Sequence, residues 1–215
     1  MEIQGGHSDE ELAPEHATLK DRLEAFTRVV RLGGFAPVSG DASFAILDGA
    51  AQTRRVSLVL PPVSEAALRP LWHMTALGGA TAIAITEACD DADATCSLAD
   101  PIRTHASFPF ELQAAESKGL SLSLVLGMPN AREALRAIVP LVEAWAKLVA
   151  LMGFRGARAQ EPSHGWVSDV ALYLEDEVTI TLDDASIDEE AWAVLANVLV
   201  PIHEVFGIVS LSFPD

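Results

Sequence analysis

The chain contains only two cysteines, Cys89 and Cys96, and both lie in one acidic segment over 87–104. In a reducing compartment a disulfide between them is disfavoured. A zinc site needs two further ligands, and the gap between the cysteines is wider than the roughly two to four residues usual in zinc-binding pairs. The shortage of cysteine therefore predicts neither a disulfide nor a zinc centre.

The same acidic segment imitates the start of a calcium-binding loop at Asp91, Asp93 and Thr95. However, Cys96 stands where such a loop needs glycine, and Ile102 stands where it needs glutamate. We therefore predict no metal site here and interpret the segment as a solvated acidic loop.

Positive charge is also scarce, because 14 Lys and Arg residues stand against 31 Asp and Glu, a formal net charge of −17. This field repels a polyphosphate backbone or an anionic membrane, and no cluster of Lys or Arg offsets it. The charge excludes nucleic acid and membrane as expected partners. It is typical of a soluble protein, and it also suits a surface that attracts a basic partner protein.

Long hydrophobic runs are missing, although half of the residues are hydrophobic and the mean hydropathy is +0.27. Charge or proline interrupts each apolar stretch well before the roughly 20 residues that a membrane span needs. No basic start followed by an apolar segment is visible, so we expect no secretion signal and a cytoplasmic protein. The hydrophobic content favours a folded chain, as one large domain or two small ones.

Recognisable catalytic and cofactor motifs are absent. The chain has no GxGxxG after a predicted strand, no GxxxxGK[ST], no GxSxG and no HExxH. The acidic neighbours of the two cysteines raise a thiol pKa, which is the opposite of what a thiol nucleophile needs. We expect no cofactor, and the sequence favours a protein that is not an enzyme, although site residues can assemble from distant segments.

The clearest structural pattern lies near the C-terminal end of the sequence. Apolar residues alternate with threonine over 178–182, which predicts a half-buried strand. Ser186 and Glu189 then match a capping box, and an apolar stripe at helical spacing follows it. Gly207 is expected to end this helix, and 208–213 to form a final strand.

The same rules predict hairpins that alternate with helices along the rest of the chain. The other predicted helices run from Pro14 to Gly33 and over 64–77 and 130–152. The other predicted strands cover 42–47, 55–60, 81–85, 108–113, 120–126 and 167–174. Hairpin-length connections favour an α+β fold in which helices cover a mainly antiparallel sheet.

Three stretches resemble one another and suggest about three divergent strand–strand–helix units, over 42–71, 106–141 and 167–202. Their spacings differ, so divergent duplication and mere recurrence of one common plan both stay open. We interpret 1–13 as a flexible N-terminus and 14–215 as the α+β domain. A loop near 153–165, rich in Gly, Arg and Pro, is the candidate boundary between two subdomains.

Two prolines fall inside predicted helices. Pro140 projects into the middle of its helix's polar face, and Pro201 lies near the edge of its helix's apolar stripe. Because proline frees the carbonyl four residues before it, both positions let a helix curve over the sheet. We expect curvature, with a functional hinge as the alternative.

Histidine is the residue best suited to acid–base chemistry near neutral pH, and histidines next to tryptophan give the candidate ligand-binding residues. Trp72 is expected on the core side of its helix, with Leu68, and His73 on nearly the opposite side. The remaining candidates are His105, His164 and Trp166. Convergence of these residues would define a pocket between the repeated units.

Trp192 and His203 project at the margin of the last long helix and are the candidate interface residues. Together with the charge and the lack of motifs, they favour a non-catalytic protein-interaction or regulatory module that binds a protein partner or a second copy. By analogy, bacterial antitoxin or immunity proteins and small adaptors often share this profile. The alternative is a small-molecule-binding protein or enzyme.

Overall fold

The computed structural model describes residues 17–35, 41–48, 54–61, 63, 65–77, 101–109, 122–151, 154 and 164–212. Several predicted features lie outside these residues. They are the N-terminus over 1–13, the strand over 81–85, both cysteines, and most of the boundary segment over 153–165.

The described residues form an α+β fold, as the sequence predicts. The helices are α1 (Leu19–Arg31), α2 (Leu68–Leu77), α3 (Ala131–Ala150), α4 (Glu189–Val198) and α5 (Val200–Phe206), and a 3₁₀ turn over Glu65–Ala67 precedes α2. The strands are β1 (Ser43–Asp48), β2 (Arg54–Val59), β3 (Leu122–Gly127), β4 (His164–Leu174), β5 (Glu177–Ser186) and β6 (Ser210–Ser212).

The described strands form two sheets in which every pairing is antiparallel. Strands β1 and β2 make a separate hairpin, and the larger sheet has the order β4-β5-β3-β6. The predicted hairpins β1–β2 and β4–β5 are therefore confirmed. Strand β3 instead lies between β5 and β6, and Phe108 and Pro109 are not in a strand. The prediction of three similar units is not confirmed.

One face of the larger sheet is part of the core. Its inward side chains alternate along β3, β5 and β6, as the period of a strand requires. They include Leu124 and Leu126 on β3, Val178, Ile180 and Leu182 on β5, and Leu211 on β6. Helix α3 packs against this sheet, mainly over β4, and contributes buried side chains such as Ile138 and Trp145 to the same core.

Two helix starts differ from the predictions. Helix α1 begins at Leu19, where Thr18 and Asp21 form a capping box, and not five residues earlier as predicted. Pro14 itself lies outside the described residues. Helix α4 begins after Asp188, whose side chain accepts a hydrogen bond from the Ala191 N–H at 3.0 Å. The prediction of Ser186 as the cap is wrong because β5 continues through that residue.

The two prolines have different consequences. Pro140 lies inside the continuous helix α3 on its exposed face, as predicted, and its carbonyl accepts a hydrogen bond from Arg28. Pro201 is not in the interior of a helix, because the predicted single helix is two helices that meet at Leu199. Pro201 occupies the first turn of α5. Backbone N–H groups there have no acceptor within the helix, so the absence of an N–H in proline breaks no helical hydrogen bond.

Candidate functional site

Glu190, in the first turn of α4, holds two other parts of the chain. Its Oε1 accepts a hydrogen bond from the Ile102 N–H at 3.2 Å and lies 3.1 Å from Nη2 of Arg69 on α2. Burial raises the pKa of the Glu190 carboxyl, and the charge of Arg69 partly offsets this by lowering it. The ion pair therefore joins α2 to α4, and the hydrogen bond joins the segment 101–109 to α4. Both contacts are mostly buried.

Asn197 lies two turns further along α4 and is buried. Its Nδ2 donates to the carbonyls of Gly34 at 3.0 Å and Arg103 at 3.1 Å. Its Oδ1 accepts from the His105 N–H at 2.7 Å and from the Thr104 hydroxyl at 3.3 Å. These four bonds use both donors and both lone pairs of the amide, so Asn197 is committed to the chain rather than to a ligand.

Glu190 and Asn197 together form what we call the α4 latch, because both fasten the segment 101–109 to α4. Seven residues separate them, which corresponds to about 10 Å along a helix axis. At the far end of the segment, the Phe108 ring lies 5.3 Å from the ring of His203, and the Pro109 carbonyl accepts the Leu211 N–H at 3.1 Å. Because the contacts of both residues are made within the chain, the latch is best described as a structural clamp.

The two candidate residues on α2 occupy different positions from those expected. Trp72 is 40% exposed and His73 is partly buried, so the predicted faces of α2 are wrong. Leu71 and Met74 face the core instead. His105 lies beside the latch, and burial lowers the pKa of its imidazole, which favours the neutral ring.

His164 and Trp166 begin β4, where the backbone pairs His164 with Ser186 and Trp166 with Asp183 of β5. Their side chains are outside the part of the structure that is described. The convergence of His73, His105 and His164 on one pocket therefore stays a prediction.

The two candidate interface residues have internal contacts. Trp192 is only 5% exposed and stacks on Trp145, with ring centroids 5.4 Å apart, so its predicted place at the helix margin is wrong. The Trp145 indole N–H donates to the Ala191 carbonyl at 2.7 Å. His203 is partly exposed, and its Nδ1 lies 2.8 Å from the Ile208 carbonyl. Since a carbonyl only accepts, this nitrogen carries the proton.

Within the described ranges, no group of three or more His, Cys, Asp or Glu side chains is placed to hold a metal ion. None of the described helices combines the length and the hydrophobicity needed to cross a membrane.

The turns at one end of the larger sheet form a second candidate site, which we call the sheet-end surface. In the register, Leu174 pairs with Glu177, Glu177 with Gly127, and Gly127 with Ser210. The turns next to these residues are also joined, because the Met128 N–H donates to the Asp176 carbonyl at 2.7 Å and the Val209 N–H to the Gly127 carbonyl at 2.8 Å. The row spans roughly 14 Å at the usual strand spacing.

A bulge at the end of β4 explains how apolar side chains come to be exposed there. Between Leu172 and Leu174 the register advances by two residues on β4 and by one on β5, so Tyr173 and Leu174 together oppose Glu177. Such a bulge re-aims side chains that regular pairing would alternate between faces. Tyr173 is 67% exposed and Leu174 is 53% exposed.

Two further exposed valines lie in the part of the chain that leads into β6. Val205 on α5 is 72% exposed, and Val209 before β6 is 57% exposed. Between them Gly207 adopts the left-handed conformation, with φ of 70°, which lets the chain reverse into β6. A Cβ on Gly127 would lie 3.2 Å from Cγ2 of Val209, so that valine rests directly on the sheet end.

Sequence reasoning missed the sheet-end surface, although one signal of it is present. Tyr173 and Leu174 are consecutive apolar residues that break the alternation of a strand and lead into Glu175, Asp176 and Glu177. Comparison of the chain with protein-family models, with curated protein sequences and with solved structures found no match.

Proposed function

We propose that this chain is a non-catalytic protein-interaction module that binds a partner protein through the sheet-end surface. The observation that carries the proposal is the exposure of Tyr173, Leu174 and Val209 along one end of a sheet. Exposed apolar side chains grouped within a polar rim are typical of protein-binding sites, and tyrosine is enriched at such contacts.

The α4 latch favours this proposal over a catalytic function. Its most buried polar residue, Asn197, has all its hydrogen-bonding capacity bound within the chain. A catalytic group must instead reach a substrate with a donor, an acceptor or a nucleophile. The small-molecule alternative rests on the convergence of histidines, which remains a prediction.

Site-specific photo-crosslinking in cells tests the proposal. A photoreactive amino acid at position 173 should give one defined adduct with a partner protein, and the adduct should weaken when Leu174→Ser or Val209→Ser is added. The matched control places the same group at position 59, because Val59 is a similarly exposed apolar residue on the other sheet. Equal adducts at positions 59 and 173, or no adduct at 173, would overturn the proposal.

A further inference from the structure

We infer that the partner reaches the sheet-end surface with a short basic segment that carries apolar side chains. This inference rests on the protein-binding function proposed above and adds the chemistry of the partner. The inferred partner is a different protein with positive charge, rather than a second copy of this chain.

The apolar anchors of the surface are Tyr173, Leu174 and Val209. Tyr173 and Leu174 are presented side by side by the bulge, and the backbone of Val209 lies three strand spacings away, roughly 14 Å across the sheet. A short segment is long enough to touch both groups, since an extended chain advances about 3.3 Å per residue. Apolar side chains on the segment would cover these anchors from water, which is the main favourable term in association.

Acidic side chains follow the anchors Tyr173 and Leu174 in the chain and form the rim of the surface. Glu175 and Asp176 form the β4–β5 turn, Glu177 begins β5, and Glu204 precedes Val205 on α5. All four carboxylates are exposed or partly exposed. Arg132, in the first turn of α3, is the basic side chain that follows the neighbouring β3 turn. Three of these carboxylates directly follow Tyr173 and Leu174 in the chain, and their charge complements lysine or arginine on the partner.

A second copy of the chain fits this surface poorly. Each copy carries a formal net charge of −17, and a symmetric contact would bring the two acidic rims together. Like charges that meet across an interface oppose association. The charge of the whole molecule instead accelerates the approach of a basic partner.

Addition of a partner strand to the edge of β4 is also disfavoured. Within the described sheet β4 is an edge strand, and its pairing with β5 shifts register at three places along 11 residues. Bulges twist an edge out of the regular hydrogen-bonding pattern and are one way in which proteins block edge pairing. The contact is therefore made by side chains at the end of the sheet.

Titration of the ¹⁵N-labelled full chain with synthetic peptides, followed by NMR, tests the inference. The probe is a short peptide in which lysine and leucine alternate. The matched probes replace leucine by serine, or lysine by glutamate. We expect the lysine–leucine peptide to shift the amide signals of 173–177 and 205–210, and we expect both matched peptides to bind at least tenfold more weakly.

Substitutions in the protein identify the side chains on which peptide binding depends. Glu177→Lys and Glu204→Lys should each weaken binding of the lysine–leucine peptide roughly threefold or more, and added salt should reduce that difference. Glu143→Lys is the control, because Glu143 is an exposed carboxylate in the middle of α3. Leu174→Ser should weaken binding without changing the folded spectrum elsewhere, since Leu174 is exposed.

The outcomes separate the two proposals. If the glutamate–leucine peptide binds at the same amides as tightly as the lysine–leucine peptide, the inferred charge of the partner is wrong and the protein-binding surface stands. If the lysine–leucine peptide shifts amides spread over the whole chain, or shifts none, the inference is overturned. In that second case the crosslinking result at position 173 decides separately whether the surface binds protein.

Discussion

The backbone N–H of His105 donates a hydrogen bond to the Asn197 side chain at 2.7 Å, which joins residues 92 positions apart in the chain. The Nδ2 of the same side chain donates a hydrogen bond to the carbonyl of Gly34, just after the end of α1. One buried side chain thus fastens three segments that are distant in sequence.

Replacement of Asn197 by alanine should lower the free energy of unfolding by about 2–4 kcal/mol. The variant leaves the carbonyls of Gly34 and Arg103 and the N–H of His105 without this partner in a mostly buried place, and each lost bond costs roughly 1 kcal/mol or more. Urea denaturation measures the change. Thr104→Ala is the matched control, because Thr104 is exposed and contacts the same oxygen at 3.3 Å. An equal loss in both variants would contradict the role assigned to Asn197.

The carboxyl of Glu190 should give the chain a specific dependence of stability on pH. Burial raises its pKa in the folded state, so between the ordinary and the raised pKa the folded chain binds more protons than the unfolded chain. The stability contributed by this group is therefore full below the ordinary pKa and falls as pH rises through the raised pKa.

We expect the difference in unfolding free energy, wild type minus Glu190→Gln, to decrease as pH rises through that window. Denaturant titrations over a series of pH values measure the difference. Glu189→Gln, in the same helical turn but exposed, is the control and should give a nearly constant difference. A difference for Glu190→Gln that increases with pH would contradict the predicted sign.

Replacement of Trp145 by phenylalanine should lower the free energy of unfolding by about 1–3 kcal/mol. The change removes the hydrogen bond to the Ala191 carbonyl and leaves unfilled space beside Trp192 in the core. Thermal and urea denaturation measure the loss. Trp72→Phe should change stability by less than about 0.5 kcal/mol, because Trp72 is substantially exposed. A comparable loss in Trp72→Phe would show that burial does not distinguish the two sites.

Introduction of a methyl group at Gly34 should destabilise the contact between the end of α1 and α4 by about 1–3 kcal/mol. The new Cβ would lie 2.5 Å from Cγ1 of Val29, 3.0 Å from Cγ1 of Val194 and 3.2 Å from Cγ2 of Val198. Addition of Val29→Ala should relieve the closest of these clashes. The double variant Gly34→Ala, Val29→Ala is therefore expected to lose less stability than the sum of the two single variants.

Local patterns predicted much of the fold. Alternation around Ile180 and Leu124 identified inward positions of two strands, and both side chains are buried. The helical stripe around Pro140 predicted α3 and the exposed position of that proline. These features depend on residues close in sequence, where the spacing of apolar side chains carries the information.

The features that sequence reasoning missed depend on contacts between distant residues. The placement of β3 between β5 and β6 is set by sheet pairing, to which the sequence around Leu124 gives no guide. The burial of Trp192 against Trp145 likewise depends on a neighbour far along the chain. Local capping rules favoured Ser186 over Asp188 because they do not indicate how far β5 extends.

The position of β3 in the larger sheet has a consequence for how the chain folds as it leaves the ribosome. Both of its neighbours, β5 and β6, are synthesised after it, and β6 ends at Ser212. Until those residues emerge, β3 lacks both of its strand partners. Such long-range pairing slows folding. The larger sheet is therefore expected to be completed only after β6 has been synthesised.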